Sequence, residues 1–398
     1  QATGTWNSYD LGFANCNYAI ENVTFEKAIA LEGANKTYAL NNVTINETHD
    51  YYAMWISAKG QTVNIDGLTI NSAGRGVKID EQYVGSPAKV TMNVDNATFN
   101  TTKKAAIVVK SVEGAEINWG AGNNIANVAQ DDFFAVWVDE DAEANADKVV
   151  VNGAYAKVEG SSDVAVETVD ALKEALTNGS SKVYVCAGEY TFPSSSVKAG
   201  VTIECAEGTV FTGNSKLNIK GATVIGATFS NPSGTAVDQT INGTFKGCTF
   251  EGANALRSCY AGETCVFEEC VFSGSTYGVH FDGGTNKNIT FRDCTFSGFN
   301  AFAAAISMVT FENCTFVGNG KSGYNGANLW GSAKMINCEF TFNDTTANEW
   351  IDCIGTDKTY EFENCTVNGA AYDSKDVTGK IFSRNHATIK INNVDCAM

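Results

Sequence analysis

The feature that most constrains this chain is a repeat. Thr244-Phe-Lys-Gly-Cys-Thr-Phe-Glu-Gly252, Val266-Phe-Glu-Glu-Cys-Val-Phe-Ser-Gly274, Thr290-Phe-Arg-Asp-Cys-Thr-Phe-Ser-Gly298 and Thr310-Phe-Glu-Asn-Cys-Thr-Phe-Val-Gly318 are copies of one unit, and looser copies surround Cys338 and Cys365. The steps between Cys248, Cys270, Cys294, Cys314, Cys338 and Cys365 are 22, 24, 20, 24 and 27 residues. Length varies between copies and not within them. A solenoid behaves this way, because core positions hold register while loops absorb insertions.

Inside each unit, aromatic and β-branched residues alternate with polar ones over a few positions before Gly intervenes, which predicts strand, tight bend, strand. A third apolar segment follows in Gly278-Val-His-Phe-Asp282, Ala327-Asn-Leu-Trp-Gly331 and Glu349-Trp-Ile-Asp-Cys353. Three short strands per turn define the rung of a parallel β-helix, in which each strand pairs with its counterpart one turn on, at about 4.8 Å. The first half uses the same grammar in Glu21-Asn-Val-Thr-Phe25, Asn41-Asn-Val-Thr-Ile45, Asp66-Gly-Leu-Thr-Ile70 and Asn96-Ala-Thr-Phe99. Its third segments are Met54-Trp-Ile56, Gly76-Val-Lys-Ile-Asp80, Ala105-Ala-Ile-Val-Val109 and Ala135-Val-Trp-Val-Asp139.

One helix is predicted, near 168–177, with Thr168 as N-cap, Val169, Leu172 and Leu176 on one face and Gly179 as the stop. It is expected to cover the open end of a solenoid. The boundary is therefore placed near Gly160, giving an N-terminal β-helix region, 1–160, and a C-terminal β-helix, 161–398, that carries the capping helix and the cysteine rungs.

These units resemble the right-handed parallel β-helix, or pectin-lyase-like, superfamily. Val169-Asp-Ala-Leu-Lys-Glu-Ala-Leu176 followed by Val183-Tyr-Val-Cys-Ala-Gly-Glu-Tyr-Thr-Phe192 is similar to its capping helix and first rung, and the Asn/Asp-x-x-Thr-Phe/Ile units are similar to its later rungs. The fold class expected is thus an all-β right-handed parallel solenoid with three short strands per rung. The superfamily contains pectate lyases, polygalacturonases, phage tailspikes, virion fibres and bacterial adhesins, so the resemblance fixes fold and not function. The style of repeat is most similar to phage virion and gut-bacterial surface members.

Lys plus Arg number 27 against 45 Asp plus Glu, a formal charge of −18, which repels nucleic-acid phosphates and anionic headgroups. No apolar run reaches the roughly 20 residues of a membrane span, so no membrane insertion is expected. Residue 1 is Gln with no basic start and apolar stretch behind it, and the expectation is a processed or excerpted, soluble chain. The six repeat cysteines are expected to stack one per rung as buried reduced thiols, because rung spacing exceeds the Cβ separation of about 3.5–4.5 Å that a disulfide needs. Cys259 and Cys265 share a loop and remain open as a disulfide. The twelve Asn-x-Ser/Thr sequons weigh little toward glycosylation, since several, such as Asn313-Cys-Thr, arise from the rung pattern itself.

The superfamily's catalytic sets are not matched. A polygalacturonase-like site implies an aspartate cluster with a Gly-His-Gly histidine, but His49, His280 and His386 are not flanked by Gly and the sole Asp-Asp pair is Asp131-Asp132. A lyase-like site implies calcium carboxylates beside an Arg base, and the arginines are Arg75, Arg257, Arg292 and Arg384. Asp282 and Asp352 align on one face about three rungs apart, on the order of 14 Å, beyond the about 5–9.5 Å of a hydrolytic pair. Asp139-Glu-Asp141 with Glu143 and Asp147 reads as a solvated acidic loop or a calcium ligand set without ordered spacing. No catalytic residue, metal or cofactor is assigned.

A binding face is easier to build. If Val279, Phe281, Leu329 and Ile351 point inward, alternation places His280, Asp282, Trp330, Trp350 and Asp352 outward, with Tyr277, Tyr324 and Arg257 nearby, and exposed aromatics beside polar groups suit sugar rings. The alternative is that the tryptophans pack under loops or at a subunit interface. Trp55, Lys78, Asp80, Lys110, Trp137 and Asp139 form the parallel set in the first half. The expectation is a non-enzymatic, elongated virion or cell-surface structural or adhesion protein, homo-oligomeric, with surface glycans or other surface subunits as partners. The alternative is a polysaccharide lyase or glycoside hydrolase of the same fold.

Overall fold

The computed structural model describes residues 11–80, 89–101, 103, 105–110, 114–126, 134–139, 148–193, 197–257, 265–284, 289–304, 309–318, 327–342, 351–353, 355–371, 381–383 and 387–396. The chain divides into two compact units, Gln1–Ala165 and Val166–Met398. Each is a coil of parallel strands.

In the first unit, seven short strands pair in parallel: Leu11–Phe13, Ile29–Leu31, Tyr52–Ile56, Arg75–Ile79, Ile107–Val109, Val136–Val138 and Ala156–Val158. The rest of each rung is a longer strand, or two, in a second sheet. Tyr18–Phe25, Thr37–Glu47 and Thr62–Ser72 bend midway, and the next rung splits into Val90–Asp95 and Thr98–Thr101. The residue at the bend is Asn22, Asn42, Gly67 or Asn96, with φ of 53°, 51°, 74° and 50°. One left-handed residue turns the strand without a loop, and Asn and Gly are the residues that occupy this region at least cost.

The second unit applies the same corner to the cysteine repeat. The left-handed residues Gly226, Gly247, Glu269, Asp293, Asn313, Asn337 and Asn364 stand one per rung, and a small apolar residue follows each, Ala227 and then the six repeat cysteines. The turn sits between the two phenylalanines of the motif and aims both inward. Two columns result. Phe229, Phe250, Phe272, Phe296, Phe316 and Phe340 stack with centroids 4.8–5.2 Å apart. Phe245, Phe267, Phe291 and Phe311 stack at 4.9–5.1 Å. The columns meet edge to face within each rung, at 5.1 Å and 79° for Phe291 and Phe296. Both geometries are favourable for aromatic quadrupoles, at about 0.5–1.5 kcal/mol per pair beyond area burial.

The thiols fill the corner between the columns. Cys248, Cys270, Cys294, Cys314, Cys338 and Cys365 are buried and unbridged, as expected. Each Sγ lies at the carbonyl two residues back and at one in the preceding rung, 3.3 Å and 3.5 Å for Cys270 with Glu268 and Phe245. The neighbouring Cys248 and Cys294 thiols, together with burial, push the Cys270 thiol up. Cys265 is buried in the inward column that continues through Ile289 and Val309, while Cys259 lies outside the described residues.

The helix spans Val169–Asn178, as the sequence predicts. Thr168 Oγ1 accepts from the Ala171 N–H at 3.2 Å, Gly179 closes the helix at φ 85°, and Leu172, Ala175 and Leu176 are buried. Lys198 Nζ donates to the Asn178 carbonyl at 2.7 Å, placing a cation on the negative end of the helix. The helix packs against Lys182–Val185, a strand of the parallel sheet.

Two antiparallel hairpins were not anticipated. Thr366–Val367 folds back on Ala370–Ala371 through Asn368 and Gly369, and Thr388–Ile391 folds back on Val394–Asp395 through Asn392 and Asn393. All four turn residues have positive φ, which suits a two-residue hairpin. The signal was present as Asn-Gly and Asn-Asn.

Glu269 is the one corner residue with neither a short amide or carboxylate side chain nor glycine's freedom. Glu269→Asn is expected to raise stability by about 0.5–1 kcal/mol in urea unfolding. Iodoacetamide on the native protein is expected to label exposed Cys16 and spare the six column thiols until the chain is denatured, read by peptide mass mapping.

Candidate functional site

Parallel pairing decides which outward residues stand together. Val271–Gly284 carries Tyr277 and His280, whose rings stack at 4.6 Å and 25°. His280 pairs with Ala301, Ala301 with Asn328, and Asn328 with Asp352. His280 and Asp352 thus share one column, three strand steps or about 14 Å apart. Val279, Leu329 and Ile351 are buried, as the inward assignment requires. Exposed Arg257 follows Leu256, which pairs with Val279 one rung earlier.

Trp330 stands elsewhere on that face. It follows Leu329, which pairs with Phe302, itself the partner of Phe281. Trp330 therefore lies one position past the Phe281–Phe302–Leu329 column, on the far side of it from His280, and is 56% exposed. Alternation along a strand identifies the face, whereas the column is set by ladder pairing, so residues expected on one face stand in more than one column. Asp282 and Asp352 differ by three rungs and also by position along the strand, beyond the reach of a hydrolytic pair. Trp350 and Tyr324 lie outside the described residues.

The first-unit set is drawn together more closely. Trp55 pairs with Lys78, Lys78 with Val108, Val108 with Trp137, and Trp137 with Lys157, forming one outward column. Lys78 Nζ lies 4.6 Å from the Trp55 ring centroid and pairs with Asp80, and Lys110 pairs with Asp139 at 3.2 Å. Lys157 lies 5.1 Å from the Trp137 ring, whose Nε1 donates to Glu159 at 3.3 Å. Lys78 and Asp139 are 9% and 5% exposed. Cations and aromatics here engage one another across rungs, an arrangement suited to holding the sheet face together. Of the acidic run, only Asp139 falls among the described residues.

His49, one of the three histidines, meets a carboxylate. Glu47 is 4% exposed. Its Oε1 accepts from the His49 N–H at 2.7 Å and lies 2.8 Å from His49 Nδ1, and its Oε2 accepts from the Ala28 N–H at 2.9 Å. Burial opposes ionisation, but the His49 N–H, the His49 ring and the Ala28 N–H together hold the Glu47 carboxyl below its ordinary value. The group clamps a turn to the preceding rung.

A third set escaped the sequence reading. Asn64, Asn93, Asn118 and Asn152 form an outward column that lines an open groove. The signal was Val63-Asn-Ile-Asp66, Met92-Asn-Val-Asp95, Ile117-Asn-Trp-Gly120 and Val151-Asn-Gly153, which precede the bend. The Thr-Phe/Ile pair that marks each rung in the sequence comes after that bend. Among the described residues, no group of three or more His, Cys, Asp or Glu side chains is arranged to hold a metal, and no helix is long and apolar enough to cross a membrane.

With coil, corner and inward columns established, the class is a parallel β-solenoid. A family model described as right handed beta helix region matches residues 177–343 and 233–395, together more than half of the chain, and the chain belongs to that family. No curated protein and no solved structure matches it.

A folded-state pKa below the unfolded value means that Glu47 contributes stability above about pH 4.3, and that this is lost as pH falls through its folded pKa. Glu47→Ala, which also strands the buried Ala28 N–H, is expected to cost about 1–3 kcal/mol near pH 7. The gap from the parent chain should narrow toward pH 3 in urea unfolding series.

Proposed function

We propose that this protein is a non-catalytic structural and adhesion module of a virion or cell surface, most similar in kind to phage and gut-bacterial surface β-helices, which binds glycans along its sheet faces without cleaving them. One observation carries the reading: outward polar side chains are committed to cohesion between rungs. Lys246, Glu268, Arg292 and Glu312 occupy one outward column and pair in series, with contacts of 2.8, 3.0 and 3.0 Å. Glu26, Asn46, Asn71 and Asn100 form an amide and carboxylate ladder with bonds of 3.1, 2.9 and 2.9 Å. A face organised to hold its own rungs suits a load-bearing or display role, and exposed Trp330 and the Tyr277–His280 stack, on separate columns, add aromatic surface suited to sugar rings. The charge of −18 favours solubility of a repetitive surface and disfavours acidic polysaccharides. Partners on this reading are surface glycans and further copies or subunits of the same assembly.

Purified protein on a panel of plant, bacterial and animal polysaccharides should retain at least one neutral glycan and release no reducing ends or unsaturated products. Product release abolished by Asp282→Ala would establish the rival reading, a lyase or hydrolase of the same fold.

A further inference from the structure

The asparagine column of the first unit joins its rungs and still leaves amide donors and acceptors unused. Asn93 Nδ2 donates to Asn64 Oδ1, Asn118 Nδ2 to Asn93 Oδ1, and Asn152 Nδ2 to Asn118 Oδ1, each at 2.7 Å. A primary amide has two N–H donors and two acceptor lone pairs. The ladder uses one of each, so every interior rung retains one donor and one acceptor. Asn64 pairs in register with Ala39, which offers no side-chain acceptor, so the column starts with a further donor. All amides point the same way, and aligned hydrogen bonds strengthen one another.

These amides line an open groove of about 420 Å³, within the range of ligand sites. Asn41, Asp66 and Asp95 occupy the adjacent outward column, and Trp119, Gly120 and Gly153 also line the groove. Asp66 Oδ1 accepts from Asn96 Nδ2 at 2.8 Å, and Asp95 Oδ1 from the N–H groups of Asn96 and Gly122 at 2.9 and 3.3 Å. The second oxygen of each takes no hydrogen bond among the described residues. Trp119 lies in the inward column with buried Val94 and stacks on Phe99, with centroids 5.5 Å apart at 21°, so it closes the floor of the rung beneath the groove.

The groove exists because the corner is rebuilt in this rung. The single left-handed residue of earlier rungs is replaced by Gly120-Ala-Gly-Asn123. Asn123 stands in for missing backbone, its Nδ2 donating to the Val94 carbonyl and its Oδ1 accepting from the Ala97 N–H, both at 2.8 Å. A Cβ on Gly120 would meet Asp95 Oδ1 at 2.4 Å, so the loop lies against that carboxylate only as glycine.

We infer that this groove is a binding site for an extended, uncharged glycan whose hydroxyls pair with the unused amide donors and acceptors at successive rungs. The column offers donor and acceptor together at each step, which matches the two-sided hydrogen bonding of a hydroxyl. Asp66 and Asp95 supply acceptors and repel uronate or sialate chains. This inference rests on the proposed glycan-binding role and names a site for it distinct from the Tyr277–Trp330 face.

The test uses the full chain on an array of neutral oligosaccharides: glucans, mannans, galactans and N-acetylglucosamine oligomers. Asn93→Ser with Asn118→Ser shortens two rungs of the ladder, and loss of two hydrogen bonds is expected to weaken binding about tenfold or more. Asn152→Trp, at an exposed end of the column, blocks the groove without touching the ladder's interior and should abolish binding while circular dichroism and melting stay at parent values. If the parent retains a neutral glycan that the folded groove variants bind equally well, the groove assignment is overturned while the glycan-binding role stands. If the parent retains none, the role itself fails.

Discussion

In both units the coil depends on one backbone state, the left-handed residue that turns most rungs at their corner. It turns the chain within one residue, so the two strands it joins keep the same register in every turn. In-register pairing then places like on like. Phe291 stacks on Phe267 and Phe311 because Asp293 and its counterparts above and below adopt the same φ within a few degrees. Had the corner been a loop of variable length, the columns would have drifted apart and the thiols between them would have lost their cavity.

That dependence explains what could be seen in the sequence. Where a corner is one residue long, as from Gly247 to Asn364, motif spacing is invariant and the columns are readable directly. Phe, Cys and Phe positions, their burial and the unbridged thiols all follow. The helix was equally legible, since Thr168, Leu172, Leu176 and Gly179 satisfy capping and periodicity without reference to the rest of the chain.

The outward faces were less legible for a physical reason. Alternation tells inside from outside, but solvent-facing columns are set by pairing across loops of unequal length. His280 and Trp330 are both expected on the outward face, but only the ladder shows that Phe281 and its column stand between them. The groove asparagines were missed because Asn118 and Asn152 precede an altered corner, where the Thr-Phe/Ile marker no longer aligns rungs. The clamp of Glu47 on Ala28 and His49 also depends on proximity across a rung, and no local pattern signals it.

The Phe-Cys-Phe columns carry a consequence for how such a chain changes over generations. Each rung presents the same surface upward as it receives from below, so the interfaces are interchangeable. Duplicating or deleting the turn between Cys270 and Cys294 would join phenylalanine to phenylalanine and thiol to thiol again, with the corner and the neighbouring rungs undisturbed. The second unit can thus be lengthened or shortened by whole turns, in steps of about 4.8 Å, while its core chemistry stays the same. Copy number becomes a heritable means of adjusting reach, separate from any change in what the outer faces bind.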